Sequence, residues 1–218
     1  NINYKKIRNL IHFSKSRSEP VALVIKKGTF KKSSQKPIKV KTNHKILRKD
    51  AIKILLKSFG TSSKIIATTG YTSRELNQLR SDYKINKGKD FYLVGGMGHT
   101  ASVSLGVALN TNKRVICLDG DGSILMHLGS LTTIGNFNCK NFTHIMFNNK
   151  THESVGGQKI LSDKINYKKL VLSVGYKKYY RFNDIKDLQK KIKKILLEKG
   201  PVFLDILTKE GSLKILSR

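Results

Sequence analysis

Apolar positions along this chain fall into short runs separated by polar, glycine-bearing loops. The runs at 64–68, 91–94, 114–118, 142–147, 177–181 and 202–207 are strand-length and bounded by turn residues, so they predict strands. Between them, helical spacing predicts helices over 44–58, 73–80, 99–110, 123–135, part of 157–174, and 184–198. The last is clearest, with Ile185, Leu188, Ile192, Ile195 and Leu196 on one face. Such alternation predicts an α/β domain: a doubly wound parallel sheet of about six strands with helices on both faces. Upstream, residues 3–17 predict a helix and Val21-Ala22-Leu23-Val24-Ile25 a short buried strand. Residues 31–43 are polar and basic, contain Pro37 and Ser33-Ser34, and show no apolar period, which reads as a linker. The expected division is therefore 1–30 as the tail of another domain, 31–43 as a basic linker, and 44–218 as the main domain.

Four predicted strands end in unusual loops. After 64–68 comes Thr69-Gly70-Tyr71-Thr72-Ser73-Arg74-Glu75, where Thr72 and Glu75 have the spacing of a capping box. After 91–94 comes Gly95-Gly96-Met97-Gly98-His99. The third loop is Asp119-Gly120-Asp121-Gly122-Ser123, and the fourth runs from Asn148-Asn149-Lys150-Thr151-His152-Glu153 to Gln158. Each alone has a structural reading as a turn, a core methionine or a surface histidine. In an open α/β sheet, however, ligands bind outside the carboxyl ends of the strands, and all four loops belong to that edge. With 25 residues (123–147) between Gly122 and Asn148, one crossover helix would deliver a carboxylate and a carboxamide side by side. Hard oxygen ligands and free backbone amides suit Mg²⁺ and a diphosphate. The glycine spacing of a nicotinamide site is missing after the first strand, and no Gly-Lys-Ser/Thr phosphate loop is present.

Composition changes this picture little. Lys and Arg number 43 against 14 Asp and Glu, a formal net charge of +29. That balance raises nucleic acid as a partner. Yet the excess is nearly all lysine, spread over predicted solvent faces without aromatic interleaving, so the sequence argues against nucleic-acid binding. An attraction for small anions remains. Two cysteines, Cys117 in a predicted strand and Cys139 in a loop, offer no disulfide framework and suggest a reducing compartment. No membrane-length apolar run or signal-like segment is evident, so a cytoplasmic protein is expected; a start at Asn1 rather than Met suggests a fragment.

The Gly-Asp-Gly to Asn-Asn spacing resembles the cofactor signature of thiamine diphosphate enzymes. Three further strings, Thr68 to Leu76, Gly95 to His99 and His152 to Gln158, resemble the branch that holds phosphonopyruvate and sulfopyruvate decarboxylases. The resemblance covers roughly 44–210, and residues 1–30 are similar to the end of that family's pyrimidine-binding domain. It implies thiamine diphosphate and Mg²⁺ as cofactors, with Asp121, the Asn149 side-chain oxygen and the Thr151 carbonyl as metal ligands. Gly120, Gly122 and Ser123 would meet the diphosphate, assisted by Thr69, Gly70, Tyr71, Thr72 and Ser73. Met97 would match the apolar wedge that folds the cofactor, beside Gly95 and Gly96. His99, His152 and Arg74 are the implied catalytic candidates, Arg74 toward the substrate's phosphonate. The implied reaction is decarboxylation of phosphonopyruvate to phosphonoacetaldehyde and CO₂, with sulfopyruvate or another 2-oxo acid as alternative substrates. An activating Glu is implied from a pyrimidine-binding domain of the same or a neighbouring subunit. Neither Glu19 nor Glu153 matches that motif, so a homo-oligomer is expected and an isolated chain should be inactive. A basic polyanion-binding module is the non-enzymatic alternative.

Overall fold

A computed structural model of the chain describes residues 3–31, 42–59, 63–84 and 90–213, apart from the Asp163 side chain. The chain divides into two compact units, Asn1–Lys36 and Pro37–Arg218. In the first, helix α1 (Tyr4–Arg17) is capped by the Asn3 side chain, which accepts from the Lys6 amide. The strand expected over 21–25 does not form, and these residues are exposed. A strand needs a neighbour for its backbone groups, and no other strand occurs among the described residues of this unit. Most of the expected linker lies outside the described residues.

The second unit contains β1 (Ile46–Leu47), α2 (Arg48–Ser58), β2 (Lys64–Ala67), α3 (Tyr71–Asp82), β3 (Phe91–Tyr92) and α4 (Thr100–Leu109). There follow β4 (Val115–Gly120), α5 (Asp121–Met126), α6 (Ser130–Phe137), β5 (Phe142–Asn148), β6 (Thr151–His152) and β7 (Gln158–Lys159). Last come α7 (Tyr167–Ser173), β8 (Lys178–Phe182), α8 (Ile185–Ile195) and β9 (Val202–Lys209). Among the described residues seven strands form one sheet, ordered β1-β9-β5-β4-β2-β3, with β8 also pairing β9 below β1. Every ladder in it is parallel. The doubly wound architecture expected from the alternation is therefore present.

Residues of the central strands alternate between two cores, as the pleat requires. Ile116 and Leu118 face Ile52 and Leu55 of α2, Leu76 of α3 and Leu188 of α8. Val115 and Cys117 face Leu105 of α4, Ile134 of α6, and Tyr167 and Val171 of α7. Both faces are covered, which explains strands that read as unbroken apolar runs. Where α6 meets the end of α7, Gly135 touches backbone: a Cβ there would lie 1.7 Å from the Val174 carbonyl oxygen.

Two expected helices and one expected cap are corrected. The region 44–58 begins as β1, and its helix starts at Arg48. The helix expected over 123–135 is two, broken at His127–Gly129, where Gly98 packs against Met126 and His127. The partial helix expected within 157–174 is present as Tyr167–Ser173, and the remainder holds β7 and a single turn of 3₁₀ helix. No Thr72 capping box exists. Gly70, at φ 97°, caps α3 without a side-chain bond, and Glu75 is drawn instead to a cation on α2.

Candidate active site

Parallel pairing sets the ends of β4 and β5 in register, Gly120 beside Phe147, so the loops that follow them emerge together. With the loop after β2 they line a narrow cavity of about 60 Å³. Its wall includes Thr69, Tyr71, Thr72, Met97, Gly120, Asp121, Gly122, Ser123, Asn149, Thr151 and His152. Eleven sequence-predicted residues thus share one cavity. A wider groove of about 630 Å³ adjoins it, sharing Thr69, Tyr71 and Met97 and adding Gly70, Ser73 and Arg74. Met97 stands at the junction of the two.

Asp121 is the electrostatic centre. It is 2% exposed, and burial pushes its carboxyl up to about 7 from the ordinary 3.8, against the hydrogen bonds it accepts. Those come from the amides of Lys150 (2.8 Å) and Gly122 (3.0 Å) and the Ser162 hydroxyl (3.0 Å). Among the described residues no cationic side chain pairs with it. Asn149 lies in the adjoining loop, and its Oδ1 accepts from the Thr151 amide at 3.1 Å, leaving a lone pair for another partner. A buried, uncompensated carboxyl group and a carboxamide oxygen lining one cavity are a donor set that fits a small hard cation.

Anion recognition has its own supports. Helix α3 begins at the cavity, and its Gly70 cap leaves the first amides unclaimed by any side chain. The Ser123 hydroxyl oxygen accepts from Thr68 Oγ1 and from the Gly98 amide, both at 3.1 Å, which leaves its own proton to donate. Gly122 packs closely under the His152 ring: a Cβ there would lie 2.7 Å from it, so any larger residue must push the ring aside.

Not every predicted residue reaches the cavity. Ser73 turns its hydroxyl back onto the carbonyls of Ala67 and Thr68. Gly95 and Gly96 sit in the loop after β3 and do not line the cavity. His99 is exposed and stacks obliquely on His127, ring centres 4.3 Å apart, rather than facing Asp121. Arg74 is exposed in the wider groove.

Sequence reasoning missed an ionic network under the cavity. Arg48, buried at the start of α2, donates through Nε to Glu75 (2.8 Å) and through Nη1 to Glu153 (2.9 Å). Burial pushes Glu75 upward in pKa, with Arg48 opposing. Glu153 Oε2 also accepts from Asn149 Nδ2 at 3.1 Å, and its Oε1 from the Gly211 amide at 2.5 Å. Glu75 in turn accepts from the Leu213 amide. Helical spacing carries no signal for partners this far apart in the chain. A second missed cluster, Cys117, Asp119 and His144, is fully buried on β4 and β5, with ligand atoms within 4.8 Å of one another. His144 Nδ1 meets the Tyr176 hydroxyl at 2.9 Å, and none of the three acidic or ligating groups lines the cavity.

Residues 68–206 match the family described as thiamine pyrophosphate enzyme, C-terminal TPP binding domain. The chain is 36% identical over 168 residues to a phosphonopyruvate decarboxylase of Streptomyces viridochromogenes, covering 77% of this chain and 41% of that protein. It is 40% identical over 117 residues to a sulfopyruvate decarboxylase subunit beta of Methanocaldococcus jannaschii, covering 54% of this chain and 60% of that subunit. The corresponding subunit of Methanococcus maripaludis is 35% identical over 156 residues, 71% of this chain and 80% of the subunit. The chain thus spans about two fifths of the length of the phosphonopyruvate decarboxylase it matches. Among the described residues no helix is long and apolar enough to cross a membrane.

Proposed function

The chain belongs to the thiamine pyrophosphate enzymes through their C-terminal cofactor-binding domain, and from that premise we propose that it forms the diphosphate- and Mg²⁺-binding half of a phosphonopyruvate decarboxylase. The observation that carries the reading is Asp121, a buried carboxyl group with three hydrogen bonds and, among the described residues, no cationic partner, lining one cavity with Asn149. Asp121, Asn149 Oδ1 and the Thr151 carbonyl would hold Mg²⁺. The Gly122 and Ser123 groups and the first turn of α3 would hold the diphosphate.

Thiamine diphosphate, when bound, supplies the carbanion and the electron sink that a 2-oxo acid needs to lose CO₂. The chain's own part is to bind, orient and exclude water. Met97, between narrow cavity and groove, would set the bend between the two ends of the cofactor. His152, against Gly122, would hold or pass a proton in the cofactor cavity, and Arg74 in the groove would meet the phosphonate. His99 would act only if the loop after β3 turned inward. Glu153 is engaged by Arg48, so the carboxylate that activates the cofactor would come from a pyrimidine-binding domain of the same or a neighbouring subunit. Under this reading residues 1–30 are the end of such a domain, and the active species is a cytoplasmic homo-oligomer.

Sulfopyruvate is the second reading, favoured by coverage: the chain spans 80% of a sulfopyruvate decarboxylase subunit beta. The chain, mixed with a pyrimidine-binding subunit of such a relative, should release CO₂ from phosphonopyruvate faster than from sulfopyruvate or pyruvate. A preference for sulfopyruvate would replace the substrate assignment. Binding of RNA or DNA with no calorimetric response to thiamine diphosphate and Mg²⁺ would overturn the enzyme reading.

A further inference from the structure

A carboxamide has two nearly identical ends, and only the oxygen end ligates a cation. For Asn149 the Thr151 amide meets the oxygen end at 3.1 Å, and a second contact grips the nitrogen. Nδ2 donates to Glu153 Oε2 at 3.1 Å, an acceptor that cannot serve the oxygen end. That carboxylate is itself pinned from three directions. Arg48 Nη1 reaches Oε2 at 2.9 Å, the Gly211 amide reaches Oε1 at 2.5 Å, and Asn149 supplies the third contact. Arg48 is held in turn by Glu75, which is 0% exposed, at 2.8 Å, and its guanidinium lies over the Tyr71 ring.

We propose that Glu153, fixed by Arg48, is a positioning residue: it locks the Asn149 carboxamide with Oδ1 toward the metal position opposite Asp121. The inference rests on the cofactor reading above and deepens it. Arg48 and Glu153 line the cavity, yet they act through Asn149 rather than on the cation. Coupling then extends to the segment after β9, because the Gly211 and Leu213 amides terminate on the two carboxylates that flank Arg48.

Two variants of the full chain test this by calorimetric Mg²⁺ titration at fixed thiamine diphosphate. Glu153→Ala should raise the Mg²⁺ concentration at half-saturation about tenfold, the lower end of what loss of a ligand's supporting partner costs. Glu153→Gln should stay close to wild type, since its amide oxygen still accepts from Asn149 and Arg48 while the Gly211 contact is lost. A merely structural role would penalise both variants alike, or shift the melting temperature without moving the metal midpoint; either result overturns the inference. A second measurement needs no metal. The Asn149 side-chain amide resonance, assigned through Asn149→Asp, should shift and lose exchange protection in Glu153→Ala. An unchanged resonance overturns the inference whatever the metal does. If the wild-type chain shows no Mg²⁺-dependent binding while the resonance shifts, the cofactor reading falls and the locking of Asn149 stands.

Discussion

The Lys150 amide donates to Asp121 Oδ2 at 2.8 Å, so the loops that leave β4 and β5 are already tied together at the point where an ion would sit. Lys150 reaches that position in the left-handed backbone region, at φ 62°, a conformation that costs a non-glycine residue. The hydrogen bond through its own amide is what the conformation secures.

Asp121 makes the protein's stability pH-dependent in an unusual direction. Its folded pKa of about 7 lies above the ordinary 3.8, so the folded chain keeps a proton that the unfolded chain has lost. The metal-free protein should therefore lose stability as pH rises between those two values and level off above about 7. Urea titrations across that range should show the decline, flattened in Asp121→Ala. Mg²⁺ must displace the same proton, so its midpoint should rise about tenfold per pH unit below the folded pKa. A Mg²⁺ midpoint unaffected by pH would contradict the site.

Gly122→Ala should separate folding from binding. The new methyl would meet the His152 ring, which is half-buried and able to turn away, so the melting temperature should change little. The turned ring and the methyl would both crowd the amide facing the diphosphate. Thiamine diphosphate binding should weaken at least about tenfold, roughly the 1.4 kcal/mol that a modest steric misfit imposes. The same calorimetric titration reads it.

Arg48→Ala tests the buried network as a stability element. Glu75 would be left fully buried without its cation, which costs about 3–5 kcal/mol. Adding Glu75→Leu should recover much of the loss, because the stranded charge is then removed. Equal stabilities for the single and double variants would show that the pair contributes nothing.

Gly135→Ala should destabilise the fold by about 1–3 kcal/mol through overpacking, with no specific effect on Mg²⁺ binding. The clash is with the Val174 backbone rather than a movable side chain, so α6 and α7 must separate. Denaturant midpoints measure the loss, and α6 amide exchange should report where it falls.

The strands were legible because burial on both faces makes them short apolar runs, although β4 and β5 run past the expected ends at Leu118 and Phe147, to Gly120 and Asn148. The break at His127–Gly129 was not legible: Ile124, Leu128, Leu131 and Ile134 keep a helical period across it. At the break Gly98, from a different loop, sits against Met126 and His127, a tertiary contact that no local period reports. That Asp121 and Asn149 line one cavity could be read because strand register brings the ends of β4 and β5 together. Arg48, Glu75, Glu153 and Ser162 could not, since each reaches its partner across the fold and no local pattern encodes the meeting. Val21 to Ile25 misled for the opposite reason: an apolar run states a tendency, and pairing needs a second strand.

An all-parallel seven-stranded sheet has a kinetic side as well. No two of its neighbours can be joined by a tight turn, so each ladder must wait for a crossover to close, and β5 meets β9 only after β6, β7, α7, β8 and α8 have been laid down. Contacts this distant along the chain slow the search, and refolding of the second unit should take roughly milliseconds to seconds. During that interval the exposed edges of β4 and β5 are where chains would associate wrongly, and the like charge of +29 is what keeps them apart.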